Sequence, residues 1–384
     1  MRVLHVPTGT GGNPMSLARA EREIGLESWS IVDQESYFGY PADETLLPLG
    51  ASRLKYEFYR PQLLVRALRD FDVIHFNAGQ TLMPQPMTRA TPPYLAGARV
   101  LYQGYARLFQ QRDLPILKAA GKAIFVTFQG DDARQGTTLI GRPVDILSEV
   151  DSDYYTPRSD AAKRRRIERF DRYADGIFTV NPDLFRVLPG RTQFLAYTSV
   201  DPRVWHPADP SSPRQRIRVV HAPSHKGIKG TRFVLDAVAR LQAEGLAFDF
   251  ELIEGVLNAE ARERYLAADL IIDQLLIGWY GALAVEGMLL GKPVIAYIED
   301  ADLSRLPEQM RATIPLIRAN PDSITDVLRE WLTNGRPALT KRGIESRAFA
   351  ERWHDPRAIA REVAWHYEMA LAKGHSRRGL RREL

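Results

Sequence analysis

Glu286 is a carboxylate set in a strongly apolar stretch, Gly278-Trp279-Tyr280-Gly281-Ala282-Leu283-Ala284-Val285-Glu286-Gly287-Met288-Leu289-Leu290-Gly291-Lys292-Pro293-Val294. The apolar run over residues 270–276 predicts a buried strand. A glycine-containing turn follows, then a helix that ends at Gly291, and Pro293 opens the next strand. In such a unit the helix N-terminus aims unpaired backbone N–H groups and the positive end of its dipole at the mouth of the sheet. An anion there gains roughly 0.3–1 kcal/mol from the dipole. Glu286 lies about one and a half turns into the helix. From there its carboxylate could hold hydroxyls of a group whose phosphates sit at the turn, which describes a nucleotide-diphosphate site. A crossover helix packed on a parallel sheet has the same outline, so other polar residues of the chain must decide between them.

A second candidate is basic. Residues 223–231, Pro-Ser-His-Lys-Gly-Ile-Lys-Gly-Thr, form a glycine turn before a helix over 232–243. Lys226 and Lys229 stand there beside N–H groups that also favour anions. Two ammonium groups could balance a leaving diphosphate; a solvated turn is the alternative. Glu254, after a strand over 248–253, is a candidate for contact with the nucleotide base. Near the N-terminus a strand over residues 2–8 runs into Gly9-Thr10-Gly11-Gly12-Asn13-Pro14 and a helix over 15–24, with Pro14 suited to a first helical turn. Gly11, Gly12 and Asn13 thus form a phosphate- or substrate-facing loop, or a tight turn. It is not a dinucleotide fingerprint, because Met15 follows Pro14 where a third glycine would be needed.

His75 and Asn77 end a strand over 72–77, on the side where open α/β sheets bind ligands. For His75 a place inside the fold is the alternative. Asp131 and Asp132 follow a strand over 122–128 and could orient or deprotonate an acceptor hydroxyl, or cap the next segment. Asp151-Ser152-Asp153 spells a pattern used by metal-dependent transferases, but two carboxylates alone rarely hold a divalent ion, and no metal is expected.

The elements that must position these residues alternate between strand and helix over 384 residues, enough for two α/β units. Pro207, Pro210 and Pro213 mark a linker. The expected division is a first domain over 1–200, a linker over 201–216, a second domain over 217–355, and a final helix with a basic tail over 356–384. A charged fraction of 26% with 45% hydrophobic residues fits the soluble globular class. Cysteine is absent, so disulfides are excluded and a reducing cytoplasm is the expected location. No apolar run approaches the ~20 residues that span a bilayer. The net charge of +5 is unevenly spread. Lys163, Arg164, Arg165, Arg166, Arg169 and Arg172 crowd one helix over 161–173, and Arg377, Arg378, Arg381 and Arg382 the tail. Such runs are solvated faces or meet an anionic membrane or polyanionic acceptor. Nucleic acid is not an expected partner, since no recognition motif accompanies the charge.

In their order these motifs resemble the family-4 glycosyltransferases of the GT-B fold. That family carries a Glu, seven residues, a second Glu and then Gly-Lys-Pro-Val. Glu286 matches the second Glu, Tyr280-Gly281 falls at the family's Phe-Gly, and Gly278 stands at the first Glu. Lys229-Gly230 matches its Lys-Gly turn, with Lys226 as a shifted basic partner, and Gln129-Gly130 falls at its strand-end His-Gly. The resemblance implies a GT-B α/β architecture, two Rossmann-like α/β/α domains facing across a cleft, with the C-terminal helix crossing back to the N-terminal domain. It implies sugar transfer from a nucleotide-diphosphate-sugar donor such as a UDP-sugar to a glycan, lipid-linked or small-molecule acceptor. Retention is implied, with no cofactor beyond the donor. Glu286 would hold the ribose, and Gly278, Tyr280, Gly281, Ala282, Gly11 and Gly12 would line the donor. Lys226 and Lys229, with the amides of Gly281 and Ala282, would stabilise the departing diphosphate. Gln129 and Asp131 would stand at the reacting end, and Asn13, His75, Asn77 and Asp132 toward the acceptor. The leaving phosphate would take the acceptor proton. A GT-B nucleotide-sugar epimerase, or a homologue that binds the donor without transfer, would share this outline.

Overall fold

The computed structural model describes residues 1–35, 39–51, 53–86, 96–207 and 215–382; at 53, 96, 98 and 375–382 the description is of the backbone. The chain forms two compact units, one of Met1–Gln135, Pro157–Leu195 and Pro356–Leu384, the other of Gly136–Thr156 and Ala196–Asp355.

The first unit runs β1 (Arg2–Val6), α1 (Asn13–Glu23), β2 (Glu27–Val32), β3 (Glu44–Thr45), α2 (Arg53–Asp70), β4 (Val73–Asn77), α3 (Ala96–Phe109), α4 (Asp113–Ala119), β5 (Ala123–Phe128), α5 (Pro157–Tyr173), β6 (Gly176–Thr179) and β7 (Gln193–Phe194). Its sheet is parallel, in the order β3-β2-β1-β4-β5-β6-β7. Val3 pairs with Val73, and Val73 with Ala123. Every residue of β4 and β5 is buried, as a parallel strand covered on both faces requires.

The second unit runs β8 (Ile217–His221), α6 (Lys226–Lys229), α7 (Thr231–Ala243), β9 (Phe248–Leu252), α8 (Asn258–Leu266), β10 (Leu270–Ile272), α9 (Ala282–Leu289), β11 (Val294–Ala296), α10 (Glu308–Ala312), β12 (Ile317–Arg318) and α11 (Ile324–Trp353). Its parallel sheet has the order β12-β11-β10-β8-β9. α11 runs to Trp353 through a break at Gly335, whose φ of 73° no other residue type adopts easily. The last helix, α12 (Pro356–Arg382), belongs to the first unit and packs on α1 and β5. Tyr367 anchors it. Its hydroxyl donates to Glu21 at 3.1 Å and lies 2.6 Å from His75 Nδ1.

Two features of the expected division differ. Residues 136–156 belong to the second unit. Leu139, Val144 and Ile146 cluster there with Ile228, Leu276 and Ile277, and Glu149 pairs with Arg232 at 2.5 Å. Burying such side chains contributes roughly 1.5–3 kcal/mol each, so this segment is held by packing at long sequence separation. Of the proposed linker, residues 208–214 lie outside the described residues, and Trp205 is buried in the second unit.

Candidate functional site

The strand order of the second sheet reverses between β8 and β10. Ligands of open α/β sheets bind outside the carboxyl ends of the strands at such a point. His221, the last residue of β8, ties the two strand ends together. Its Nδ1 donates to Ile272 O at 2.8 Å, and its Nε2 accepts from Thr231 Oγ1 at 2.9 Å. Burial lowers its pKa to about 4, so the ring is a neutral crosspiece.

After β8, His225 caps α6, with its Nδ1 accepting from the Ile228 N–H at 3.2 Å. This turn places Lys229 Nζ 2.9 Å from Asp273 Oδ1 and 2.6 Å from Gln274 Oε1. Asp273 is fully buried, and its Oδ2 accepts the Gly281 N–H at 2.5 Å. A buried carboxylate needs both a counter-charge and hydrogen bonds, and Asp273 has each. It also explains why β10 stops at Ile272 although an apolar strand was expected to residue 276: the chain turns at Asp273 to close over Lys229. A Cβ on Gly281 would lie 2.8 Å from Lys229 Nζ, so the lysine passes directly over this glycine.

Gly281 then begins α9 without a side-chain cap. Its own N–H is taken by Asp273, which corrects the expectation that this amide faces a ligand. The N–H groups of Ala282 and Leu283 have no partner among the described residues. An ammonium has three donors, of which Asp273 and Gln274 use two on Lys229. One lysine N–H and two helix amides are therefore available to an anion.

Glu286 lies on the same helix, 5% exposed, with Oε1 accepting from Asn258 Nδ2 at 2.9 Å. Burial raises its pKa to about 7; the Asp273 charge adds to the rise and Lys229 opposes it. The structure thus brings Lys229, Ala282 and Glu286 together. It adds Asp273, Gln274 and Asn258, which sequence reasoning missed. The Asp273-Gln274 pair interrupting an apolar run was a legible signal; Asn258, at the start of α8, carried none.

Other expected residues lie apart from this cluster. Lys226 pairs with Glu254 at 3.0 Å, and both are exposed to solvent. Tyr280 is a core residue. Its Oη donates to His354 Nε2 at 2.9 Å, and His354 Nδ1 donates to Tyr197 O at 3.1 Å. A Cβ on Gly278 would lie 2.2 Å from Glu299 Cβ and 3.2 Å from Arg142 Nη2. That space is filled by Glu299, which accepts from Tyr297 Oη at 2.6 Å, and by Arg142, ion-paired with Asp302.

In the first unit the order reverses between β1 and β4. Gly11 and Gly12, at φ 60° and 73°, follow β1 there. Asn13 Nδ2 donates to Gln129 Oε1 at 2.9 Å, joining the loops after β1 and β5. Gln129 Nε2 is buried without a partner among the described residues. Asp132 closes the turn before it: its Oδ1 accepts from the N–H groups of Gln129 at 3.0 Å and Gly130 at 2.6 Å. Asp131 accepts from Arg134 at 2.7 Å. His75 is sealed in the core; Nδ1 donates to Tyr367 Oη, and Nε2 accepts from Thr127 Oγ1 at 2.8 Å. Burial and the neighbouring His5 hold its pKa well below the usual range. Asn77 is also buried, with Nδ2 donating to His75 O at 3.3 Å. Sheet burial on both faces, which sequence position alone did not reveal, removes His75 and Asn77 from ligand reach.

The basic helix α5 is partly internal. Lys163 donates to Arg134 O at 2.6 Å, Arg164 to Gln135 Oε1 at 3.1 Å, Arg166 to Gln85 Oε1 at 2.9 Å and Arg169 to Gln110 O at 2.5 Å. Arg165 and Arg172 are exposed. The tail arginines, Arg377, Arg378, Arg381 and Arg382, have side chains outside the described residues. Asp151 and Asp153 are exposed, and among the described residues no group of three or more acidic or histidine side chains could hold a metal ion. Among them, too, no helix is long and apolar enough to cross a membrane.

No family model and no curated protein matches the chain. Solved structures do match in fold. Sucrose-phosphate synthase from Thermosynechococcus elongatus gives a TM-score of 0.59 at 14% identity, covering 97% of this chain and 99% of that one. The catalytic domain of starch synthase IV from Arabidopsis thaliana, bound to ADP and acarbose, gives 0.58 at 12% identity, covering 97% and 99%. Anabaena HepE in complex with UDP-glucose gives 0.57 at 11% identity, covering 96% and 99%. At these identities the likeness establishes the fold, and the fold is GT-B.

Proposed function

We propose that this protein is a glycosyltransferase that moves a sugar from a nucleotide-diphosphate-sugar donor to a glycan, lipid-linked or small-molecule acceptor. The observation that carries the reading is the convergence of Lys229, the open amides of Ala282 and Leu283, and Glu286 at the point where the second sheet reverses. The diphosphate lies against Lys229 and the two amides, and Glu286 holds the ribose. Hydrogen bonds to charged groups contribute about 1.5–3 kcal/mol each. In the reaction the bond from the sugar's anomeric carbon to the diphosphate oxygen breaks, and a bond from that carbon to the acceptor oxygen forms. The acceptor proton passes to the leaving phosphate, so a strong protein base is not needed, and the anomeric configuration is retained. Lys229 and the amides meet the negative charge that grows on the diphosphate, where preorganised donors act most strongly. Asn13 and Gln129 in the first unit are assigned to the acceptor side.

The test is a thermal-shift and turnover panel of nucleoside diphosphates and their sugars. One nucleoside diphosphate raises Tm; ligand at 100 times Kd stabilises by about 2.7 kcal/mol. Lys229→Ala removes the rise. No shift with any nucleotide, or an unchanged shift in the lysine variant, overturns the assignment. One observation favours a second reading, a protein that binds the donor without transfer: Asp273 already occupies Lys229 and the Gly281 amide. A nucleotide shift with neither transfer nor donor hydrolysis would select it.

A further inference from the structure

Helix α3 has its apolar side outward. It buries Ala106 and half-buries Tyr102 and Gln103, while Val100, Leu101 and Leu108 are 70%, 77% and 60% exposed. At 100° per residue, Gly97, Val100, Leu101, Gly104 and Leu108 fall on one stripe. Among the described residues, a Cβ added at Gly97 or Gly104 would meet nothing within 4 Å, so none of them covers the stripe at these two positions. The docked side is polar: Tyr102 and Tyr105 hydroxyls donate to Glu57 of α2 at 3.3 and 2.9 Å. Beside Glu57 in α2, Leu54 and Phe58 are also exposed. α3 has no acidic residue, and Arg107 flanks the stripe. Just past its end, Arg112 is exposed, and Gln110 accepts from Arg169 of the basic helix α5.

We propose that this face docks on an anionic phospholipid bilayer, with α3 lying in the headgroup layer, its stripe against the acyl chains, and Arg107, Arg112 and the exposed arginines of α5 toward the headgroups. An amphipathic helix with basic flanks has the charge and apolar pattern such a surface takes. Charge complementarity selects lipid over a second copy of the chain. Two such faces would bring arginine against arginine with no acid on α3 to pair them. This surface lies beyond the sugar-transfer reading, and its test involves no nucleotide, so either can fail alone.

The full chain is sedimented with vesicles of phosphatidylcholine plus phosphatidylglycerol, and with phosphatidylcholine alone. Binding to the anionic vesicles that weakens with salt is expected. Leu101→Gln with Leu108→Gln lowers partitioning at least about tenfold, as the loss of two buried leucines implies, with Tm unchanged. Arg107→Gln with Arg112→Gln, which leaves the stripe intact, removes most of the preference for anionic lipid. Equal or no binding to the two vesicle types overturns the proposal. So does a concentration-dependent dimer that the leucine variant dissociates, which would assign the face to a second copy.

Discussion

Glu286 and Asp273 are two buried carboxyl groups that share one lysine. The sharing is unequal. Asp273 has the direct ion pair and the Gly281 amide, whereas Glu286 has the Asn258 amide and feels Lys229 from further away. Glu286 therefore keeps its proton to about pH 7, while in the unfolded chain it ionises near 4.5. Between those values the folded form binds the extra proton, so stability falls as pH rises and the loss is complete above pH 7. It amounts to about 3 kcal/mol. Glu286→Gln cannot ionise and should be more stable than the parent at pH 8 by up to that amount, with little difference at pH 5. Urea unfolding midpoints at the two pH values measure this. Equal midpoints at pH 8 would mean that Glu286 is not held in an apolar, proton-retaining position.

The elements that carry the site are loops leaving β8 and β10, and their outline was legible. The glycines at 230, 281 and 291 and the proline at 293 mark turns where the structure has them. What was not legible has physical causes. The periodicity of α3 carries no sign of which side faces inward, and its apolar side faces out. Residues 136–156 were assigned to the first domain by their position in the chain, because their partners, Ile228 and Leu276 among them, are far away in sequence. The polar pair Asp273-Gln274 stands out in its apolar run, but the role of Asp273 was not legible, because it depends on Lys229, 44 positions earlier. The loop before α9 also explains Gly278. Gly278→Ala forces a Cβ to within 2.2 Å of Glu299 Cβ. Overpacking of this kind costs about 1–3 kcal/mol, and the urea midpoint should fall accordingly, further for Gly278→Glu. A Gly278→Glu protein as stable as the parent would refute the close approach.

At the scale of the whole molecule, both units contain neutral buried histidines: His75 in the first, His221 and His354 in the second. Unfolding lets each take a proton near pH 6.5, whereas in the fold His221 and His354 resist protonation until about pH 4. Stability is therefore lost as pH falls from 6.5 through 4, by about 3 kcal/mol for each of those two. This opposes the Glu286 effect and outweighs it. Calorimetric scans should show the Tm of the second unit falling below pH 6.5; a Tm there that rises on acidification would contradict the buried, neutral state of His221 and His354. The helix α12 adds a consequence in time rather than in space. It completes the first unit yet is translated after every residue of the second. On the ribosome the later-encoded unit has its whole sequence in hand while the earlier one still lacks the Tyr367 anchor, so the nascent chain should mature in the reverse of its reading order.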